Sequence, residues 1–389
     1  MRNMPRTRTA NGPIRVTFVD QVGGTAGGAE RTLATFLGSA PRDIEPSAVL
    51  FEDGAFACEL RSLGVRVDVV PVSEKIDGAT RESGTLEAAI SAPPLVWRVG
   101  ERIRAQRADV VYTNSMKAHI VGSLGARLAR TPCVIHFHDL FEGGALRTLQ
   151  TVTKLASQER IACSRLVASA MDVENTSVIY GPVELKAFRD LEDRVTARAK
   201  LGIPAGVPVV GLIGRINRWK GHDRFVRIAA RVNADLPVHF AIVGAPVFRD
   251  ADFVPELHQL VSKLGLRERV SFHPWLDDVR SAYAALDVNA NCSTREPFGR
   301  TIVEAAAAGV PTVCFGDSGA AETIVDGQTG RTIPAGDEEA FARAIVQMLA
   351  NRARIPAIRR AARAAADRFD APLIAEEMAT VIRRVAAAA

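Results

Sequence analysis

The stretch NCSTREPFGRTIVEAAAAGVPTV, residues 291–313, sets Glu296 and Glu304 eight residues apart around a Pro-Phe-Gly turn and a short alanine-rich helix. Glu296 stands in the loop that leaves an apolar run, and Glu304 stands inside the helix that follows. A turn and a helix wall can therefore aim two carboxylates at one ligand. Pro297 suits a first helical turn, where its missing N–H has no intrahelical partner. Gly309 followed by Pro311 is a stop signal. At about 100° per residue, Ile302, Val303 and Ala306 share one face and Glu304 points to roughly the opposite side. By periodicity alone, Glu304 is a solvated helix residue.

Outward from this stretch, short β-branched runs alternate with helical segments along nearly the whole chain, the pattern of parallel sheets with crossover helices. The first half predicts strands at Ile14–Asp20, 47–51, 65–70, 109–113, 132–137, 160–164 and 177–180, and the second at 207–214, 238–244, Val270–His273, 287–291 and 311–315. Each series opens with a strand that runs into glycine, and the polar segment 185–208 lies between them. With 389 residues, about twice a typical domain, the chain is expected to form two Rossmann-like, doubly wound domains. These are residues 1–190, completed by a C-terminal helix at 372–389, and residues 191–371. In such folds ligands sit at the C-terminal ends of the strands, which here means a central cleft faced by both domains.

Composition narrows the partners. Hydrophobic content of 47% and charged content of 24% are those of a soluble globular chain. No apolar run reaches the roughly 20 residues of a membrane span, and the basic N-terminus is not followed by a signal-type segment, so a cytoplasmic location is expected. The five cysteines form no CxxC pair, and neither disulfides nor zinc are expected. A net charge of +5 favours anionic partners such as a nucleotide diphosphate or an anionic membrane face. The basic residues form no aromatic-interleaved stripe, which argues against nucleic acid.

The candidate site residues follow strand ends. The glycine-rich loop GGTAGGAER at 23–31, with Gly27 and Gly28, opens the first helix, where backbone can come close to a phosphate or simply turn tightly. It lacks the spacing of a dinucleotide fingerprint. Two further runs, 111–115 and 134–139, end in polar residues. His138 can donate a hydrogen bond to a sugar hydroxyl or cap its strand, while His136 reads as a core histidine. In GRINRWKG, residues 214–221, Arg215 and Lys220 can reach one diphosphate, one as a planar fork and one as a point charge, or stay solvated. Trp275 can wall a nucleobase or fill a gap. The segment 315–330 predicts a loop of backbone N–H groups before a helix, again suited to phosphate. Residues 96–106, VWRVGERIRAQ, read either as a basic interfacial helix or as an ordinary amphipathic one.

Together these residues resemble the family 4 retaining glycosyltransferases, which have the GT-B fold. The resemblance runs in order through GGAE at 27–30, His138-Asp139, VIYGPVELKAF at 178–188, GRINRWKG and EPFGRTIVEAAAAGVPTV at 296–313. It implies a hexose-type sugar moved from a UDP- or GDP-linked donor to a hydroxyl on a glycan, a lipid-linked glycan or a small molecule, with retained configuration and no metal or other cofactor. Arg215 and Lys220 match the cations on the diphosphate. Glu296 matches the carboxylate on the transferred sugar, with Phe298, Gly299, Arg300 and Thr301 beside it, and Glu304 matches the one on the ribose. His138 matches the histidine at the sugar's reacting face, and Gly27 and Gly28 match the loop near the phosphates. Tyr180-Gly181-Pro182 departs from the family's junction, and Ser293-Thr294-Arg295 from its usual lead into the glutamate. Another GT-B enzyme, either an epimerase or an inverting transferase, and a non-catalytic sugar-nucleotide-binding subunit are the rival readings.

Overall fold

In the second half of the chain, runs such as Val209–Ile213 and His239–Val243 are buried along their whole length, as strands covered on both faces must be. The computed structural model describes residues 12–24, 27–72, 86–246, 250, 252–276 and 278–389, with side chains for all of these except 86–92 and 352. Most of the basic N-terminus, Thr25 and Ala26 of the glycine-rich loop, and Asp277 beside Trp275 lie outside the described residues.

Two compact units form: Met1–Pro182 with Ala371–Ala389, and Val183–Asp370. Among the described residues of the two units, the first holds seven parallel strands: β1 (Ile14–Asp20), β2 (Ile44–Leu50), β3 (Arg66–Val69), β4 (Val110–Thr113), β5 (Cys133–Phe137), β6 (Glu159–Ala162) and β7 (Thr176–Val178), in the order β3-β2-β1-β4-β5-β6-β7. The second holds six: β8 (Val209–Ile213), β9 (His239–Val243), β10 (Val270–His273), β11 (Val288–Asn291), β12 (Thr312–Phe315) and β13 (Gly330–Ile333), in the order β10-β9-β8-β11-β12-β13. Both sheets reverse direction beside their first strand, at β1/β4 and at β8/β11. Those are the topological switch points where such sheets open a crevice, and the two sheets give the chain the two-domain GT-B fold.

Each unit has its own core. In the first, Val16, Phe18, Tyr112 and Val134 pack with Phe36 and with Ile374, Met378 and Ile382 of the C-terminal helix Ala371–Ala387. Arg383 of that helix forks onto Asp43 at 2.7 and 2.9 Å. In the second, Leu212, Phe240, Ile242 and Phe315 pack with Phe225 and Phe341. Four of the five cysteines are buried, Cys58 is exposed, and all are free thiols.

Two readings of the sequence change here. The segment 185–208, expected to separate the domains, starts with helices of the second unit, Leu185–Arg189 and Arg194–Lys200. Its polarity has a structural use: Arg194 and Arg198 both pair with Asp287, at 2.5 and 2.7 Å, just ahead of β11. The strand β13 was not expected, because GRTI is too short and polar to signal one. It pairs with β12 all the same, from Thr312↔Gly330 to Phe315↔Ile333.

Candidate functional site

At the β8/β11 switch point two loops are stitched together. Gly221 closes the loop after β8 in a left-handed conformation, φ 72°, and caps the helix His222–Asp235. The backbone N–H of Thr294 donates to Trp219 O at 3.0 Å, and Arg224 donates to Cys292 O at 2.9 Å. Asn217 fixes the tip by accepting the Lys220 N–H at 3.0 Å. This places the Lys220 ammonium 2.6 Å from Glu296 Oε2, with side chains only 15% and 7% exposed. The ammonium also lies 4.2 Å from the centre of the Trp219 ring. Arg215, one residue beyond the close approach of Gly214 to Gly244, is exposed.

The other residues that the resemblance assigns to a donor follow in the loop after β11 and the helix beyond it. Phe298 is buried and meets Phe369 with ring centres 5.8 Å apart. Gly299 has φ 84°, and a Cβ there would come 2.9 Å from that of Ala320. Glu304 is not the solvated residue that periodicity predicts. The helix Arg300–Ala307 is covered on more than one side, and Tyr283 donates to Glu304 Oε2 at 2.8 Å while Arg300 approaches Oε1 at 3.5 Å. Arg300 and Thr301 are half-buried in the first turn of that helix. Tyr283 carries no signal in the sequence because its ring is a core side chain and only its hydroxyl reaches Glu304.

Two other expectations are corrected or narrowed. The helix expected within 315–330 is a five-residue 3-10 helix, Gly319–Thr323, and its Gly319 N–H is spent on the Glu296 carbonyl at 2.8 Å. That N–H buttresses Glu296. Trp275 is 49% exposed, so it does not fill a gap in the core.

In the first unit, three adjacent strands end on one another. The fully buried Asp20 closes β1, and its Oδ2 accepts from Asn114 Nδ2 at 2.7 Å. Asn114 follows β4 and its Oδ1 lies 2.8 Å from His138 Nε2, just past β5. The rings of His136 and His138 sit 3.8 Å apart, centre to centre, as positions i and i+2 of one strand should. His136 is a core histidine whose Nδ1 meets Tyr112 Oη at 2.7 Å, and burial holds its pKa well below the ordinary value. Burial pushes the Asp20 pKa up, against the hydrogen bonds from Asn114 and Ser115 that lower it.

The glycine-rich loop spends several donors internally. Gly23 and Gly24 give their N–H groups to Glu52 Oε1 at 3.1 and 3.0 Å, and Gly27 gives its own to Glu30 Oε2 at 2.7 Å. Gly28 differs: it is exposed, and a Cβ there would meet nothing within 4 Å. Folding places no demand on glycine at the first position of that helix, so Gly28→Ala is expected to leave the melting temperature unchanged or slightly raised. Reduced turnover in that variant would then report ligand approaching the backbone, and unchanged turnover would remove Gly28 from the site.

The helix that follows the β8 loop also carries a pH liability. His222, buried at the start of its helix, has its pKa lowered by burial to about 4, and its Nε2 has no partner among the described residues. Between pH 6.5 and 4 the unfolded chain holds a proton that the folded chain lacks. Stability is therefore lost as pH falls through that window, on the order of 3 kcal/mol from this residue. Melting curves from pH 7 to 4 are expected to fall more steeply for the wild type than for His222→Gln.

Both halves of the chain match known protein families. The model of glycosyl transferases group 1 matches residues 193–367, and that of the glycosyl transferase 4-like domain matches residues 26–173. The lipopolysaccharide core biosynthesis mannosyltransferase LpcC of Rhizobium leguminosarum bv. viciae is 33% identical over 263 residues, 66% of this chain and 71% of LpcC. The lipopolysaccharide core biosynthesis glycosyltransferase LpsE of Rhizobium meliloti is 38% identical over 154 residues, 40% of this chain and 43% of LpsE. The first curated relatives are matched over about half their length, 43%, 59% and 57%. Among solved structures, Anabaena HepE in complex with UDP and glucose superimposes with a TM-score of 0.83 at 30% identity, covering 95% of this chain and 100% of HepE. The same protein has been solved with UDP-glucose, at a TM-score of 0.82.

Proposed function

This chain belongs to the family 4 glycosyltransferases of GT-B fold, and we propose that it moves a hexose from a UDP-linked donor to an acceptor hydroxyl with retention of configuration. The observation that carries the reading is the ion pair of Lys220 and Glu296 at the β8/β11 switch point, which unites the diphosphate cation and the sugar carboxylate. The likeness to a protein solved with UDP-glucose supports UDP over GDP. Arg215 and Lys220 neutralise the leaving diphosphate by preorganised charge, so no metal is required. Glu304, oriented by Tyr283, takes the ribose hydroxyls. His138 meets the reacting face of the sugar.

Retention through a covalent intermediate would need a carboxylate nucleophile under the anomeric carbon. Glu296 is engaged by Lys220 and suits hydroxyl recognition better. Substitution on the same face follows, in which the acceptor oxygen bonds to the anomeric carbon, the bond to the diphosphate breaks, and a donor phosphate oxygen takes the acceptor proton. A panel of nucleotide sugars scored by thermal stabilisation and slow donor hydrolysis tests the donor. UDP-hexoses are expected to stabilise the protein and to be cleaved without added metal. Stabilisation by GDP-sugars alone, or activity abolished by chelation and restored by Mg²⁺ or Mn²⁺, would overturn the reading, and an inverted product linkage seen by NMR would overturn retention.

The acceptor is proposed to be a lipid-linked glycan, as expected of a chain that resembles lipopolysaccharide core enzymes. Three neighbouring helices of the first unit, Leu86–Ala105, Met116–Ala129 and Gly143–Ala156, expose Trp97, Leu128 and Leu155 at 59%, 48% and 59%. Arg104 and Arg127 reach from one helix to the next, donating to Leu128 O and Leu155 O. Val99 and Ile103 are buried, leaving Trp97 outward among Arg98 and Arg102. Such an apolar and cationic face suits an anionic membrane surface. Among the described residues no helix is long and apolar enough to cross a membrane. Sedimentation with anionic but not zwitterionic liposomes is the expected result, and equal recovery in both supernatants would remove the membrane contact.

A further inference from the structure

The strand β1 ends in Asp20, β4 and β5 are followed directly by Asn114 and His138, and these three side chains join into a single line. Asp20 is fully buried, and the groups that face its carboxyl are donors. Val22 N–H points at Oδ1 from 3.2 Å. Ser115 accepts the Gln21 N–H at its own oxygen, at 2.9 Å, so its hydroxyl proton is left for Asp20, with which it is hydrogen-bonded. The remaining groups are the Gln21 N–H and Asn114 Nδ2, at 2.7 Å.

An amide has one donating and one accepting end. With its nitrogen committed to the Asp20 carboxylate, Asn114 can present only Oδ1 to His138 Nε2, 2.8 Å away. A carbonyl oxygen there demands a proton on Nε2. The ring also lies against His136, with centres 3.8 Å apart and planes tilted by 42°, and Tyr112 fixes His136 in turn. The groups that bear on the ring from beneath, Asn114 and His136, lie outside the motifs of the resemblance.

We propose that Asp20 and Asn114 are positioning residues for His138, holding its imidazole as the Nε2–H tautomer, so that any hydroxyl meeting Nδ1 of the neutral ring meets an acceptor. The inference deepens the proposed role of His138 and rests on that role for its catalytic consequence, though not for its structural one. Outer partners that fix the tautomer and orientation of a functional histidine typically matter by about 10–100-fold.

The test has two arms. In the first, ¹⁵N–¹H correlation spectra of the histidine rings, with His138 assigned by its loss in His138→Gln, are expected to show Nε2–H in the wild type. In Asp20→Asn, which keeps the shape and frees Asn114 to turn over, the proton is expected to move wholly or partly to Nδ1. Asn114→Ala, which removes the amide without touching β1, is expected to give a mixture of tautomers. A wild-type Nδ1–H signal, or spectra unchanged in both variants, would overturn the proposal. In the second arm, UDP-glucose hydrolysis in Asp20→Asn and Asn114→Ala is expected to lose about 10–100-fold in kcat, with KM for UDP-glucose within about twofold of wild type. If the tautomer shifts while kcat stays unchanged in both variants and in His138→Gln, the role of His138 in the reaction fails and the tautomer control stands. If His138→Gln loses activity while the two variants keep it, the positioning role is overturned.

Discussion

Lys220→Ala is expected to lower turnover of the UDP-hexose donor by about 10²–10³-fold, the usual cost of losing one preorganised charge on a developing anion. It should also destabilise the second unit. Glu296 is only 5% exposed, its Oε2 pairs with Lys220 at 2.6 Å, and its backbone carbonyl is held by Gly319, so it cannot swing out to water when the ammonium is removed. Removing one partner of a buried pair leaves an uncompensated charge, at a cost of about 3–5 kcal/mol. Glu296→Gln should cost less, because the ammonium left behind keeps the Trp219 face at 4.2 Å and a flexible stem that reaches solvent. The double variant separates the two roles. With neither charge present, stability is expected to recover most of the loss seen in Lys220→Ala, whereas turnover stays at or below that of the single variant. Denaturation of the second unit and donor turnover, measured on all four proteins, decide it. A Lys220→Ala enzyme with wild-type turnover would end the assignment of that residue to the diphosphate.

How far the sequence can be read depends on whether a property is carried by one residue or by a meeting of several. The alternation of apolar runs identifies strands because a parallel strand is covered on both faces, as Val209–Ile213 is along its whole length. Glu296 and Lys220 are legible as charges at strand ends. Their ion pair is not, since it depends on Thr294 binding Trp219 across two loops that are remote in sequence. Glu304 is misread for a related reason. Periodicity describes a helix with one partner, and this helix has several, so a position opposite the apolar face meets Tyr283 rather than water. Asp20 and Asn114 were visible only as polar ends of strands. Their alignment with His138 follows from the sheet order β1-β4-β5, in which strands 94 and 24 residues apart in sequence become neighbours. Short polar strands such as β13 carry no such signal.

The second large effect is expected from Gly221→Ala, a change of one methyl group. Gly221 has φ 72° and ψ 36°, a region that costs an L-residue roughly 1–2 kcal/mol by itself. A Cβ at this position would lie 2.2 Å from Cys292 O and 3.0 Å from its carbonyl carbon. These are backbone atoms, so relief requires one of the two loops to move. Cys292 O is also the acceptor for Arg224, and the same pair of loops holds Thr294 to Trp219. Moving either loop therefore strains the links that bring Lys220 to Glu296. A total loss of about 3 kcal/mol would lower the melting temperature of a unit this size by roughly 6–12 °C. A displacement of about 1 Å at the reacting groups is worth about 10²-fold in rate. The control is Gly206→Ala, at an exposed glycine where a Cβ meets nothing within 4 Å, and it is expected to leave both quantities unchanged. The two effects are distinguished by assaying at 25 °C, below the melting transition of either variant. There Gly221→Ala should remain folded by circular dichroism while turning over the donor slowly. A folded variant with wild-type turnover would mean that the approach of Gly221 to Cys292 does not set the distance between the two charges.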